Sequence, residues 1–337
     1  MSDTWPKAAI CLQDCHAFML LLDSEDRSRG VPAMAPWRGI VARCSLAVSF
    51  LLAALAASAS CRADSILSPA GPVAAGDRII LLDAVFIMLA IVVPTMLVTV
   101  AFAWWYRASN MRATYRPDWT YSGRLELLVW SIPTLVIFFL GGVIWIGSHR
   151  LDPFEPLSSA KPLEIEVVAL DWKWLFIYPE QNVASINRLV VPVGRPLHFR
   201  ITSASVFNAF FVPRLGSQIY AMNGMTSQLN LQADEPGQYL GLSAHFSGDG
   251  FSDMHFAAIA EPQAQFARWV AQARAHGPAL DDAAYRGLLR QSVPAAPYTY
   301  RSVEQGLFDA VAMQKLPPGE GPNPHQIAPH AIPQATP

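Results

Sequence analysis

Several side chains that could ligate a metal ion occur in the second half of this sequence. Met222, Met225, His245, Met254 and His255 carry thioether or imidazole groups, which are ligands that copper accepts. No ligand spacing recurs among them, and the neighbours of His245 would point to opposite faces of a sheet if it lay on a strand. These residues by themselves therefore do not predict a metal site.

One carboxylate, Glu126, stands at the start of a long apolar run. A carboxylate at a membrane boundary is costly unless it has a partner or a task. One such task is to collect protons from water and release them inward. The alternative is an acid at the N-terminus of a helix, where the helix dipole favours negative charge.

The cysteines do not add a metal site. All four lie in the first 61 residues, at Cys11, Cys15, Cys44 and Cys61. Cys11, Cys15 and His16 are not followed by a second ligand pair at zinc spacing. The rest of the chain is therefore expected to fold without disulfides or thiolate ligands.

The composition indicates that part of the chain lies in lipid. The 337 residues have a charged fraction of 15%, which is low for a soluble protein, and a net charge of −2. The sequence has no long basic run, and phosphate binding needs a concentrated basic face. Nucleic acid is therefore not expected as a partner.

The N-terminal region has the features of an export signal. Residues 34–60 contain basic residues, an apolar stretch and then small residues that end on Cys61, an arrangement that resembles the bacterial lipobox. We predict a lipoprotein-type signal peptide with Cys61 acylated; an ordinary signal peptide with a chance cysteine is the alternative. Residues 1–33 form an uncertain N-terminal extension, and residues 61–78 a periplasmic segment.

Two apolar runs are long enough to span a bilayer, which takes about 20 residues. They predict transmembrane helices at residues 79–106 and 127–148. The loop between them, residues 107–126, carries four arginines and one aspartate before its last residue. The positive-inside rule places this loop in the cytoplasm, so both outer ends of the hairpin lead to the periplasm of a bacterial inner membrane.

Between residues 149 and 261 the pattern changes to short runs rich in valine, isoleucine and aromatic residues, with turn residues between them. Such runs predict the strands of a β-sandwich or barrel. The predicted strands are Leu163–Leu170, Trp172–Tyr178, Arg188–Val191, Leu197–Thr202, Phe207–Val212, Gln228–Leu231, Gln238–Ser243 and Met254–Ala260.

Several motifs in these runs resemble the cupredoxin domain of subunit II of the haem–copper oxidase superfamily. They occur in order, with matching gaps, behind the two-helix hairpin. The motifs are Trp172-Lys173-Trp174, Val206-Phe207-Asn208-Ala209-Phe210, Val212-Pro213-Arg214-Leu215-Gly216, Gly237-Gln238-Tyr239-Leu240-Gly241 and Ser243-Ala244-His245-Phe246-Ser247.

The resemblance also implies that the copper site of this domain has been lost. In cytochrome c oxidases the domain holds a copper pair through two cysteines, two histidines, a methionine and a carbonyl beside a glutamate, and bridging thiolates make that pair possible. The matching positions here are Asn208 and Phe251 for the histidines, Ser243 and Ser247 for the cysteines, His245 for the glutamate and Met254 for the methionine. No metal or other cofactor is therefore expected in this chain, and Trp172 becomes a packing residue.

The amino-acid sequences of residues 210–222 and 246–254, together with this set of lost copper ligands, resemble those of subunit II of bo-type (cytochrome o) ubiquinol oxidases. The resemblance implies a non-redox subunit of a proton-pumping complex that oxidises ubiquinol and reduces oxygen to water. Haem and copper are then expected in subunit I. Subunits I, III and IV and membrane lipid are the implied partners, cytochrome c is not, and Glu126 matches a glutamate at the entrance of a proton pathway.

The remaining residues resemble the C-terminal arm of that family. Within residues 262–316, helical spacing predicts helices at Gln263–Ala275, Leu280–Gln291 and Ser302–Lys315, and the proline-rich residues 317–337 are expected to be disordered. The overall prediction is an α+β membrane protein: a two-helix transmembrane hairpin, followed by a cupredoxin-like β-sandwich and a helical C-terminal arm.

Two other functions stay open at this point. One is a copper-bearing cytochrome c oxidase subunit II, which the missing cysteines disfavour. The other is a free cupredoxin-like lipoprotein with its own periplasmic ligand, which would be isolated without haem-bearing subunits.

Overall fold

The computed structural model describes residues 66–114, 118–292 and 296–321. The predicted extension, the signal peptide and the acylated Cys61 lie outside these residues. Of the predicted tail, only residues 317–321 are described.

Two long helices begin the described chain. They are α1 (Pro72–Trp105) and α2 (Gly123–Arg150), with Pro94 and Pro133 inside them. Both are long and apolar enough to cross a membrane, and no residue in the most apolar window of either helix is buried. Side chains so apolar and so exposed need lipid or another apolar surface around them. The chain is a membrane protein.

Both helices extend beyond the predicted spans. Helix α1 begins at Pro72 instead of Ile79, and α2 begins at Gly123 and therefore includes Glu126. An apolar run defines only the part of a helix that lies in lipid, whereas the first turn of α1 is supported by protein. Proline suits that first turn because its missing N–H would have no intrahelical acceptor there.

The first turn of α1 is hydrogen-bonded to the domain that follows. The Ala70 N–H donates to the Arg214 carbonyl at 2.8 Å, and the Ala74 N–H donates to the Leu215 carbonyl at 3.2 Å. The Asp234 N–H donates in turn to the Ala70 carbonyl at 2.8 Å. We call the contact between residues 68–77 and residues 214–217 the helix seat. Through it, the first turn of α1 contacts the sandwich directly.

The domain after α2 is a sandwich of two sheets. The strands are β1 (Leu163–Leu170), β2 (Lys173–Tyr178), β3 (Val183–Ile186), β4 (Arg188–Pro192), β5 (Leu197–Ser203), β6 (Asn208–Phe211), β7 (Ile219–Ala221), β8 (Ser227–Leu231), β9 (Gly237–Ser243), β10 (His255–Glu261) and β12 (Tyr298–Tyr300), numbered along the chain. One sheet has the order β12-β3-β2-β1-β5-β8, and the other has the order β4-β10-β9-β6-β7.

Each predicted strand has a counterpart in the structure, but β3, β7 and β12 of the two sheets were not predicted. Strand β3 has only four residues and lies between Asn182 and Asn187, whose φ angles are 51° and 52°. Because the residues at both ends adopt the left-handed conformation, the chain reverses sharply enough for this short strand to pair with β2, although the sequence pattern there indicates only a turn. Strand β7 is shorter still, with three residues.

Two hydrophobic cores share the six-stranded sheet. Its inner face, with Trp174 and Phe176, packs against Phe210 and Phe256 of the opposite sheet. Its outer face belongs to a second core, which includes Leu175. Alternate residues of β2 therefore serve different cores, which explains why all six are buried.

The C-terminal arm covers that outer face with the part that follows its first helix, whose own buried side chains join the first core. It comprises α3 (Gln263–Ala275), β11 (Ala279–Leu280), α4 (Asp282–Leu288), β13 (Ser302–Val303) and α5 (Leu307–Ala312), and β11 pairs with β13. Its buried side chains in the second core include Tyr285 and Phe308.

The helical arm is confirmed, with two local corrections. Helix α3 has the predicted bounds, but the predicted helix Leu280–Gln291 is shorter, and Ser302–Lys315 contains a strand before α5. Gly306 separates that strand from α5 with a left-handed φ of 76°, a conformation that a helix interior does not contain.

Candidate functional site

Four of the six residues that the sequence resemblance matches to copper ligands meet at one rim of the sandwich. Asn208 begins β6, Ser243 ends β9, and Met254 directly precedes β10. Strand β9 lies between β6 and β10 in its sheet, so these three positions are brought together by strand order. With Ser247, from the loop after β9, they form what we call the rim cluster.

The polar atoms of the rim cluster bond to one another and to backbone. The Ser243 hydroxyl donates to Asn208 Oδ1 at 3.1 Å, and Asn208 Nδ2 donates to the Val206 carbonyl at 3.1 Å. Asn208 and Ser243 are both buried. Hydrogen bonding therefore offsets the cost of placing these polar groups in the interior.

Ser247 and Met254 complete the cluster. Ser247 Oγ lies 3.8 Å from Met254 Sδ, and both residues are buried. The Ser247 carbonyl accepts from Trp172 Nε1 at 3.3 Å. Trp172 has a left-handed φ of 62° and is buried in the core, so the structure gives it a packing position between the rim and the interior.

The other two positions lie outside the cluster. His245 is exposed, with its ring 4.6 Å from that of Phe207, and Phe251 is half-buried with its ring 5.6 Å from that of Phe246. His245 lies in the loop after β9, which corrects the premise that it occupies a strand. A histidine in a loop is free of strand alternation, so its direction cannot be deduced from its neighbours.

The rim cluster does not suit a dinuclear copper site. Two hydroxyls, one amide and one thioether offer neither a thiolate nor an imidazole, and a mixed-valence copper pair depends on bridging thiolates. Across residues 66–114, 118–292 and 296–321, no group of three or more histidine, cysteine, aspartate or glutamate side chains is placed to hold a metal. Its side chains instead form hydrogen bonds that link the start of β6 to the end of β9.

Glu126 lies at the opposite end of α2 from the sandwich. It is in the first turn of the helix and exposed, and its N–H donates to the Ser122 carbonyl at 3.0 Å. Both interpretations of the sequence fit this position, because the first turn favours an acid and an exposed carboxylate exchanges protons with water.

A charged cluster on the outer face of the six-stranded sheet was not predicted from the sequence. Arg200 Nη1 lies 2.8 Å from Glu166 Oε1, and its Nη2 lies 2.7 Å from Asp309 Oδ1. The guanidinium carbon also lies 4.7 Å from the ring centroid of Phe308. We call these four residues the Arg200 cluster; it connects β1 and β5 to α5 of the arm.

The Arg200 cluster contains a perturbed acid. Burial raises the pKa of Glu166 to about 7, against the opposing effect of Arg200. A signal was present in the sequence, since Glu166 and Arg200 are oppositely charged residues within two predicted strands. Their pairing required the register of β1 and β5, in which Glu166 and Arg200 are directly opposite.

A buried lysine holds the arm at a second point. Lys173 Nζ donates to the Arg290 carbonyl at 2.7 Å and to Ser292 Oγ at 2.6 Å, and burial lowers its pKa. Asp171 accepts from the Gly321 N–H at 2.9 Å and from Ser205. The arm is therefore attached to the six-stranded sheet by polar contacts as well as by its apolar core.

Comparison with known proteins agrees with the sandwich and extends beyond it. Residues 163–260 match the family model for the periplasmic domain of cytochrome c oxidase subunit II. The chain is 47% identical to ubiquinol oxidase subunit 2 of Acetobacter aceti over 256 residues. The alignment covers 75% of this chain and 83% of the relative. The chain belongs to the ubiquinol oxidase subunit 2 family.

Two further relatives match a similar length of this chain. Cytochrome bo(3) ubiquinol oxidase subunit 2 of Pseudomonas putida is 48% identical over 244 residues, covering 72% of this chain and 78% of the relative. Quinol oxidase subunit 2 of Bacillus cereus is 33% identical over 231 residues, covering 68% and 79%. The family predicted from the motifs is confirmed.

Proposed function

We propose that this chain is the non-redox subunit II of a proton-pumping terminal oxidase that oxidises ubiquinol and reduces oxygen to water. The observation that carries the proposal is the rim cluster in a member of the ubiquinol oxidase subunit 2 family. Where a copper-bearing relative needs thiolates, this chain has Ser243 and Ser247. Electrons then pass from ubiquinol directly to haem in subunit I, which also holds the catalytic haem and copper.

The chain's own contribution in this proposal is structural. Helices α1 and α2 expose apolar side chains along their spans, which suit contacts with subunit I, subunits III and IV, and lipid. The helix seat holds the sandwich against the end of α1, so the sandwich caps the periplasmic face of subunit I. Cytochrome c has no role as a donor.

The proposed topology follows from charge. The connection between α1 and α2 carries Arg107, Arg112 and Arg116, and Arg124 follows in the first turn of α2, which places this end of the hairpin in the cytoplasm of a bacterial cell. The sandwich then lies in the periplasm, with acylated Cys61 adding a second attachment to the inner membrane.

Purification of the tagged chain from its native membranes tests the proposal. We expect haem-bearing subunits to co-purify and the preparation to oxidise ubiquinol but not cytochrome c, without copper bound to this chain. Haem spectra, copper analysis of the separated subunit and the two oxidation assays measure this. A solitary haem-free protein would favour the free lipoprotein, and cytochrome c oxidation with copper in this chain would favour the copper-bearing subunit.

For Glu126 we propose a role at the entrance of a proton pathway into subunit I. The support is an exposed carboxylate in the first turn of α2, at the cytoplasmic end of the proposed span. Glu126→Ala is expected to slow oxygen reduction by the purified complex without loss of subunits, because protons are then delivered more slowly.

The matched control for Glu126 is Asp118→Ala, which removes a nearby carboxylate from the connection that precedes α2. Its turnover should equal that of the unaltered complex. Unchanged turnover in Glu126→Ala, measured with subunit content verified by gel, contradicts the proton role and leaves the helix-terminus interpretation.

A further inference from the structure

A cavity of about 180 Å³ lies where the helix hairpin meets the sandwich. Its walls come from Val73 in α1, Arg150 at the end of α2, residues 151–153 and 155–157 of the segment that follows, and Ser217 and Asn230 of the sandwich. Because α1 and α2 cross the bilayer and the sandwich lies beyond their shared end, the cavity lies at the depth of the lipid headgroups.

Opposite charges line this cavity without pairing. Arg150, Asp152 and Glu155 are all exposed, and none of them takes part in an ion pair within the described ranges. Asp152 Oδ1 accepts from the Phe154 N–H at 2.9 Å, which leaves its second oxygen available. One cation and two carboxylates around one space complement a ligand that carries both a phosphate and an amine.

The cavity is preformed. The backbone N–H and the Nδ2 of Asn230 both donate to the Pro153 carbonyl, each at 3.0 Å. The Ser217 hydroxyl donates to Asp77 Oδ2 at 2.9 Å. These bonds fix segment 151–157 to β8 and fix the opposite wall to α1, so a ligand does not have to order the site when it binds.

Apolar side chains stand beside the charges. Phe154 is 56% exposed, and Leu157, which also lines the cavity, is 37% exposed. Exposed aromatic and aliphatic groups next to unpaired charges are typical of the membrane interface, where acyl chains meet headgroups. The apolar surfaces of α1 and α2 continue from there along the bilayer.

We propose that this cavity binds the headgroup of a zwitterionic phospholipid with a primary amine. The phosphate lies on Arg150, the ammonium group lies between Asp152 and Glu155, and the acyl chains follow the exposed helix surfaces. The site fixes the depth of the helix seat relative to the membrane surface. It applies whichever side of the membrane the sandwich occupies.

Lipid retention by the purified full chain, with its accompanying subunits, tests the site. The preparation is delipidated, reconstituted with phosphatidylethanolamine or phosphatidylglycerol, and analysed by native mass spectrometry and thermal unfolding. We expect phosphatidylethanolamine to be retained preferentially and to raise the unfolding temperature. Arg150→Gln should lower its apparent affinity by roughly tenfold, the size expected for a lost charge-assisted hydrogen bond.

Two variants make the test specific. Arg78→Gln removes an exposed arginine of α1 that does not line the cavity, and it should bind the lipid normally. Glu155→Gln should reduce the preference for phosphatidylethanolamine over phosphatidylglycerol, since only the former carries an ammonium group.

Four results would overturn the proposal. They are equal retention of the two lipids, equal effects of Arg150→Gln and Arg78→Gln, retention of no phospholipid, and equally strong binding of soluble glycerophosphoethanolamine. The last result would mean that the cavity recognises a free phosphoamine and that the membrane is not its source.

Discussion

At the scale of single residues, the rim cluster shows how buried polar groups at strand ends are satisfied by hydrogen bonds to one another. A buried hydroxyl or amide without a partner costs about 1–3 kcal/mol, whereas a satisfied pair is close to neutral. Asn208 and Ser243 satisfy each other in the interior, and the backbone reinforces them, because the Ser243 N–H donates to the Met254 carbonyl at 3.1 Å. The strand ends therefore keep their contacts without a shared ion.

The Ser243 hydroxyl is therefore expected to contribute to stability. Ser243→Ala leaves Asn208 Oδ1 buried without this donor and should destabilise the fold by about 1–3 kcal/mol. Thermal unfolding of the solubilised full chain measures this as a lower unfolding temperature. Ser252→Ala, at an exposed serine of the same rim, is the control and should have little effect. Equal unfolding temperatures for both variants would contradict the role given to Ser243.

Glu166 predicts a pH dependence of stability. Its pKa in the fold is about 7, above the 4.5 of an exposed glutamate, so the folded chain keeps this proton to higher pH than the unfolded chain. The resulting stabilisation is complete below about pH 4.5 and is lost as the pH rises through about 7. Glu166→Gln should flatten the unfolding temperature against pH over this window.

Glu164→Gln is the control for that measurement. Glu164 lies on the same strand but is exposed and has no ion pair among the residues described. Because the charge of Glu164 is one of the lesser causes that raise the pKa of Glu166, its variant should keep the pH dependence of the unaltered chain and move it only slightly towards lower pH. An equally steep profile in Glu166→Gln would show that this carboxyl does not titrate in the folded protein.

At the scale of elements, the sequence predicts what depends on period and composition. The two apolar runs locate α1 and α2, and the strand runs locate most of the sandwich. The sequence of strand β2 also indicates a layer that was not predicted. Trp174 to Tyr178 is unbroken apolar sequence, which indicates that both faces of the strand are buried and therefore that another layer covers the sheet. That layer is the C-terminal arm.

What the sequence did not predict depends on tertiary contacts. Strand β3 forms between two left-handed asparagines, and β13 pairs with β11 from a segment whose spacing is helical. The Arg200 cluster likewise requires the register of two parallel strands and the placement of α5. The six copper positions came from resemblance, and only the structure shows that four cluster while His245 and Phe251 lie outside.

The helix seat predicts that Gly216 tolerates no larger side chain. A Cβ at this position would lie 2.6 Å from Leu231 Cδ2 and 2.8 Å from Val73 Cγ1, closer than real contacts. Gly216→Ala should therefore displace the first turn of α1 and destabilise the chain by about 1–3 kcal/mol. Thermal unfolding of the solubilised chain measures the loss.

Gly287→Ala is the matched control for Gly216. A Cβ at Gly287, in α4, has no neighbour within 4 Å, and alanine favours a helix over glycine. Its unfolding temperature should be unchanged or slightly higher. If Gly216→Ala behaves in the same way, the seat is looser than its geometry indicates.

At the scale of the whole molecule, one chain joins two environments. The exposed apolar helices need lipid or partner subunits, while the sandwich and its arm bury their own cores. Membership of the ubiquinol oxidase subunit 2 family fits this division, since the redox chemistry proposed for the complex lies in another chain.

The proposed orientation predicts opposite labelling of the two sides. Met111, in the α1–α2 connection, is 94% exposed, and Glu235, between β8 and β9, is also exposed. A membrane-impermeant maleimide applied to spheroplasts should label Glu235→Cys, and should label Met111→Cys only after lysis. The unaltered chain gives the background from native cysteines. The reverse labelling pattern would contradict the proposed orientation.

The helix seat has a mechanical consequence. Ala70, two residues before α1, and Val73, in its first turn, both belong to the sandwich core, so a tilt of α1 in the membrane is expected to tilt the sandwich with it. The domain would then act as a lever arm, which turns a small movement of the hairpin into a larger displacement at the far edge of the sandwich. A pair of probes, one there and one on a partner subunit, would report motions of the membrane helices during turnover.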